Sequence, residues 1–168
     1  METEVLFKET QRFRQWWLWL ILIAAFGITI SAITKEHKEL QNDSNFALLT
    51  PLLVPILAFV LIFFSKLDTE IDAEGIHVRF FPFHFKFKTY SRDTIGQAVV
   101  TKYNPILDYG GWGLRLGLFG KGKAYNVSGN QGIQLVFKDG SKLLIGTQKP
   151  DEAGAALQKA GFLKAEMY

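Results

Sequence analysis

Two long uncharged apolar runs constrain this chain more than any other feature. They are "WWLWLILIAAFGITISAI", Trp16 to Ile33, and "FALLTPLLVPILAFVLIFF", Phe46 to Phe64. As helices rising 1.5 Å per residue they would be about 27 and about 28 Å long, close to the hydrocarbon thickness of a bilayer. Trp16, Trp17 and Trp19 open the first run, where amphipathic rings favour the headgroup level. A buried helix of a soluble protein rarely runs this far without a polar face. The sequence therefore predicts two membrane spans, over 16–33 and 46–64, packed as a hairpin. Gly27 and Ser31 predict close approach of a partner helix. Pro51 and Pro55, one turn apart, predict a bend in the second span. The leader carries Glu2, Glu4 and Glu9 and no clean small-x-small site, so it reads poorly as a cleaved signal peptide.

Lys8, Arg12 and Arg14 precede the first run, and Lys66 and Arg79 follow the second. The polar stretch between them, "TKEHKELQNDSN", offers Lys35 and Lys38. The bias of positive charge towards the cytoplasm predicts a multi-pass protein with both termini on that side. Neither run holds an ionisable residue, which argues against a proton or ion path within one chain.

Beyond residue 65 the pattern changes to short strands and turns. The expected domains are thus 1–65, the N-terminal segment with its hairpin, and 66–168, a β-rich unit. "TEID" and "IHVRFF" read as strands. "FHFKFKTY" alternates strictly, with Phe83, Phe85 and Phe87 on one face and His84, Lys86 and Lys88 on the other. "QAVVTKY" ends at "NP", and "WGLRLGLF", "AYNV", "GIQLVFK" and "SKLLIGT" continue the series. Asp139-Gly140 marks a hairpin. "PDEAGAALQKAG" then reads as a helix: Pro150 at its first position, acids in its first turn, Gly161 as its stop, and Ala153, Ala156, Leu157 and Ala160 on one face. The fold class expected is α+β with a membrane anchor: an antiparallel β-barrel or sandwich covered by a C-terminal helix of about 150–160.

The segments "YGGWGLR", "AYNVSGNQGIQL", "DG" and "LLIGTQKP" resemble small bacterial membrane proteins that carry a pleckstrin-homology-like domain. The resemblance covers Thr69 to Gly161. It implies a PH-like fold and a place in the bacterial inner membrane, and it brings no catalytic residues with it.

Composition narrows the chemistry. The formal charge of +3, with no basic block, does not point to nucleic acid. The chain has no Cys, which excludes disulfides and thiolate metal sites. His37, His77 and His84 are the only imidazoles, and the predicted membrane separates the first from the others. No acid stands at a useful sequence spacing beside His77 or His84. "GLFGKGK", Gly117 to Lys123, imitates a phosphate-binding loop, but Ala124 stands where Mg²⁺ needs a hydroxyl, and "AYNV" reads as a strand where a helix is required. Its glycines fit a hairpin turn better. No nucleophile elbow or triad context is present. No cofactor and no metal are expected, and the chain does not read as an enzyme.

Two surfaces remain as candidate sites. In "DYGGWGLR", Gly110, Gly111 and Gly113 free the backbone around Trp112. Either the loop is a bulge that tucks Trp112 into the core, or Tyr109, Gly110, Gly111, Trp112 and Arg115 form a loop that presents Tyr109 and Trp112 to a partner or to the lipid interface. In "IHVRFFPFHFKFK", a tight connection at Pro82 and Phe83 would set Arg79 opposite Lys86 and His77 opposite Lys88. Arg79, His84, Lys86 and Lys88 are then candidate contacts for anionic headgroups of the cytoplasmic leaflet. The alternative is a solvated face with Asp72, Glu74 or Asp93 as counter-charges. The expected function is a non-catalytic, membrane-anchored binding or scaffolding module that recognises a protein partner, itself included, or anionic lipid. The competing reading is an accessory subunit of a membrane complex, bound mainly through its transmembrane helices.

Overall fold

The computed structural model describes residues 4–40, 50–117 and 120–162, with the side chains of 36–40 excepted. The chain divides into two units. Arg14–Phe64 forms one, and the segments on either side of it together form the other.

The first unit holds the apolar helices. Helix α1 runs Trp16–Leu40, and its Trp16–Lys35 part is long and apolar enough to cross a membrane. Almost none of that stretch is buried, which distinguishes it from a core helix. The second run is described only from Thr50. A 3₁₀ turn, Thr50–Leu52, leads into helix α2, Leu53–Phe64, which is shorter than a span needs; residues 46–49 lie outside the described ones. A two-span hairpin is therefore not established by the helices themselves. The expected proline bend is also corrected. Pro51 sits in the 3₁₀ turn and Pro55 in the first turn of α2, where a backbone N–H has no partner within the helix anyway. The prolines start the helix and do not bend its middle. Trp19 meets Phe59 and Phe63 edge to face, at 5.8 and 6.5 Å between ring centres. Among the described residues nothing stands within 4 Å of a Cβ placed at Gly27, so the close approach expected at Gly27 and Ser31 is not seen among them.

The second unit is two sheets and a helix. Its first sheet has the order β1-β2-β3-β4, all antiparallel: β1 Phe7–Arg12, β2 Lys66–Ile71, β3 Gly75–Phe81 and β4 Lys88–Ser91. The expected boundary at residue 65 stands beside an observed division after Phe13 and after Phe64. The leader, expected to belong with the apolar helices, supplies β1. Its alternation puts Phe7, Glu9 and Gln11 inward. Glu9, 6% exposed, accepts hydrogen bonds from the Thr147 hydroxyl at 2.6 Å and the Gln148 N–H at 2.9 Å. Gln11 donates to the Gly146 carbonyl at 2.6 Å. These bonds offset the desolvation of Glu9 and of the Gln11 amide N–H, while Gln11 Oε1 has no partner among the described residues, and they tie the edge strand to the opposite sheet.

The second sheet has the order β5-β8-β9-β7-β6: β5 Ile95–Lys102, β6 Gly113–Leu116, β7 Lys123–Asn126, β8 Gln131–Phe137 and β9 Lys142–Gly146. β7 and β9 run parallel, a departure from the purely antiparallel expectation. The Asp139-Gly140 hairpin forms as read, with Gly140 at φ 83°. Inward residues of both sheets, Leu67, Ile71, Val78 and Phe80 from one and Ile133, Leu135, Leu143 and Ile145 from the other, make one core. Helix α4, Pro150–Lys159, completes it with Ala153, Ala156 and Leu157, the face read from the sequence. Between β5 and β6 lies a short helix, α3, Pro105–Tyr109.

Candidate functional site

Register places three chain segments at one end of the first sheet. Arg12 pairs with Lys66, and Lys66 pairs with Phe81. The chain leaves for α1 at this end, returns from α2 at this end, and here β3 runs out into the loop Pro82–Phe87. The strictly alternating segment is a strand only from Lys88 onward: the β3–β4 ladder ends at Val78–Lys88, Arg79 to Phe81 pair with β2 alone, and the chain turns over between Pro82 and Phe87. Arg79 therefore does not lie opposite Lys86, and His77 lies opposite Thr89, not Lys88.

The four candidate lipid contacts separate accordingly. Arg79 is committed elsewhere. Its Nε and Nη2 donate to Asp68 Oδ2 at 3.0 and 2.7 Å, and its guanidinium lies 4.6 Å over the Phe87 ring. It holds down the return leg of the loop. Burial alone would raise the Asp68 carboxyl, but the Thr10 hydroxyl, Arg79 and Lys66 outweigh it and leave the group below its usual range. His84 is half-buried, edge-on to Tyr125 at 5.4 Å, and its Nδ1 has no hydrogen-bond partner among the described residues. Burial, then the Lys88 charge, holds its imidazole below the ordinary value. Lys86 and Lys88 are exposed, and neither has an ion-pair partner among the described residues. Phe83 and Phe85, 57% and 75% exposed, stand beside them. The alternation set Phe83 and Phe85 on one strand face and His84, Lys86 and Lys88 on the other; the loop instead leaves both rings exposed beside the two lysines.

The glycine-rich loop meets neither expectation whole, since Tyr109 turns inward while Trp112 is half-buried and outside both core clusters. Asn104 caps α3, its Oδ1 accepting from the N–H groups of Ile106 and Leu107 at 3.1 and 3.0 Å, and Gly110 ends it at φ 70°. That short helix delivers Tyr109 inward, 3% exposed against Ala124 and Leu144, so Tyr109 is not presented to a partner. Burial, then Asp108, raises its hydroxyl above the usual value. Trp112 is half-buried and donates Nε1–H to the Gly129 carbonyl at 3.2 Å, while Gly113 donates to Asn126 Oδ1 at 2.9 Å. "DYGGWG" and "NVSGNQG" are thus stitched together. Gly110 and Arg115 stay at the surface, and Gly111 is half-buried. Arg115 turns its Nε back to the Trp112 carbonyl at 2.9 Å.

The phosphate-loop imitation is a hairpin: Leu116 pairs with Lys123, and a strand follows. Gly122, at φ 83°, passes so close to Lys142 that a Cβ there would meet its carbonyl oxygen. A cleft of about 510 Å³ opens beside it, with Lys123, Lys142 and Tyr90 in its lining.

His77 does have an acid beside it, contrary to the sequence reading. Its Nε2 lies 2.9 Å from Asp72 Oδ2 and its Nδ1 2.9 Å from the Thr89 hydroxyl. The order is that of a hydrolytic triad. The same carboxylate also accepts the N–H groups of Glu74 and Gly75 at 2.8 and 2.9 Å and closes the β2–β3 turn, so the array straps β4 to that turn. No group of three or more metal-ligating side chains occurs among the described residues.

Comparison of the chain with protein-family models gives no match, and comparison with curated proteins gives none either.

Proposed function

We propose that the chain is a membrane-anchored, non-catalytic binding or scaffolding module with a PH-like β unit on the cytoplasmic side of a bacterial inner membrane. One observation carries the reading: Arg12 and Lys66 are neighbours in a ladder. Paired residues lie on the same side of any bilayer. A chain that crosses once between them, through α1, must cross again before Lys66. The apolar run 46–64 is the segment available for the return, and the contact of Trp19 with Phe59 and Phe63 brings the start of one helix to the end of the other. Lys8, Arg12, Arg14 and Lys66 at the shared end favour the cytoplasm for both termini. The antiparallel four-stranded sheet, the second sheet packed on it and the C-terminal helix support the PH-like reading; the parallel β7–β9 pair is its departure.

Ile106, Leu107, Leu114 and Leu116, exposed on α3 and the edge strand β6, offer apolar surface to a protein partner or to a second copy. The β unit carries recognition in this reading. Carbonate washing should leave the full chain in the membrane pellet, and a partner co-purified in mild detergent should be retained when 16–64 is exchanged for an unrelated hairpin. Loss of the partner on that exchange would favour the accessory-subunit reading.

A further inference from the structure

We infer that the loop Pro82–Phe87 enters the bilayer interface, with Phe83 and Phe85 at the acyl boundary and Lys86 and Lys88 on anionic headgroups of the same leaflet. The inference rests on the membrane-anchored reading and adds a second, non-covalent attachment to it.

The covalent geometry brings the bilayer within reach. Three residues separate Arg12 from Trp16, and one separates Phe64 from Lys66. At no more than about 3.5 Å per residue, connectors this short keep the β unit tethered close to any bilayer that the apolar runs enter. Phe81 is the ladder neighbour of Lys66, and the loop extends beyond it. An exposed phenyl pair on a unit tethered to the bilayer by such short connectors meets the leaflet intramolecularly, so association carries little further loss of translational freedom.

The loop is built to keep its rings outward. Phe83 leans on Phe80 at 5.8 Å and Phe85 on Phe81 at 5.7 Å, edge to face, which fixes their directions without covering them. The His84 N–H donates to the Phe80 carbonyl at 2.7 Å, and Arg79 clamps Phe87. In water, two large apolar side chains on a loop tip are unfavourable. Phenyl rings and Lys side chains together suit an interface whose inner part is apolar and whose outer part is negative. Each Lys close to an anionic surface contributes about fivefold to partitioning.

The absence of Cys makes the test direct. The full chain is reconstituted in phosphatidylcholine vesicles with and without phosphatidylglycerol, carrying one nitroxide label at a time through Phe85→Cys, Ala73→Cys or Ile30→Cys. Phe85 is 75% exposed, so its replacement opens no core, and Ala73 lies in the turn at the far end of the same sheet. Relaxation by oxygen against relaxation by a water-soluble nickel chelate reports depth. The expected result is oxygen-dominated relaxation at 85, chelate-dominated relaxation at 73, and a shift towards depth at 85 on adding phosphatidylglycerol that Lys86→Gln with Lys88→Gln abolishes. Chelate-dominated relaxation at 85 equal to that at 73, with 30 still oxygen-dominated, overturns this inference alone. Chelate-dominated relaxation at 30 overturns the membrane anchor itself. Depth at 85 that ignores phosphatidylglycerol overturns the role of the two lysines.

Discussion

Asp68 collects partners from three strands: Thr10 of β1 at 2.7 Å, Lys66 of β2 at 3.4 Å and Arg79 of β3 at 2.7 Å. Its removal leaves a part-buried guanidinium without its acceptor, so Asp68→Ala should cost about 1–2 kcal/mol, roughly 2–8 °C in Tm for the chain in detergent. An unchanged Tm would mean that solvent replaces the carboxylate at no cost. The pH dependence follows from the same residue together with Asp72 and His84. Both carboxyls are held below 3.8 in the fold, Asp72 because its turn N–H groups and His77 outweigh its burial. Their contribution is complete above about pH 4 and is lost as the pH falls through the folded values. The His84 imidazole is also held low, below its ordinary 6.5, so the neutral ring is favoured in the fold. Its contribution is complete above pH 6.5 and is lost as the pH falls below that. Thermal scans should therefore show a shallow loss of Tm below pH 6.5 that His84→Phe abolishes, and a steeper loss below pH 4 that it does not. At this scale the sequence showed which residues carry charge but not how they pair. The loop removes Lys86 from the ladder, and Arg79 meets an aspartate eleven residues upstream of it.

Strand β1 shows how an element escapes a reading by periodicity. Its inward residues include Glu9 and Gln11, so the hydropathy pattern is flat, and only Thr147 and Gln148, far along the chain, give those side chains a place. Glu9→Ala should destabilise the β unit by about 1–3 kcal/mol, since two donors lose a charged acceptor inside it. Equal Tm for the variant and the parent would remove β1 from the account of stability. The hairpin at Asp139-Gly140 and helix α4 were legible because their signals are local: a turn dipeptide, Pro150, first-turn acids and a glycine stop. Helix α3 had local signals too, Asn104, Pro105 and Gly110, and these account for the inward turn of Tyr109. The parallel β7–β9 pair and the Trp112–Gly129 bond had none, because they depend on how distant segments stack. At the Gly-Lys turn, Gly122→Ala forces a left-handed backbone and a collision with Lys142, which should cost about 1–2 kcal/mol or more. A silent Gly122→Ala in thermal melting would mean that the hairpin rearranges freely.

For the whole molecule, an apolar excursion is inserted into a β unit. The chain makes its first strand, departs as α1, returns through α2, and resumes beside the place it left. Sequence patterning located the apolar runs and the change to strands at residue 65, but it assigned the leader to the wrong unit. The consequence is geometric: whichever side of a bilayer holds β1 must also hold β2 and everything after it. Impermeant maleimide labelling of intact cells, with single cysteines placed by Val5→Cys, Ser44→Cys and Ala73→Cys, measures this directly. Labelling at position 44 from outside, with 5 and 73 reached only after the cells are opened, is the result that the proposed membrane hairpin with both termini in the cytoplasm predicts. Equal access at 44 and 73, or opposite access at 5 and 73, would contradict it.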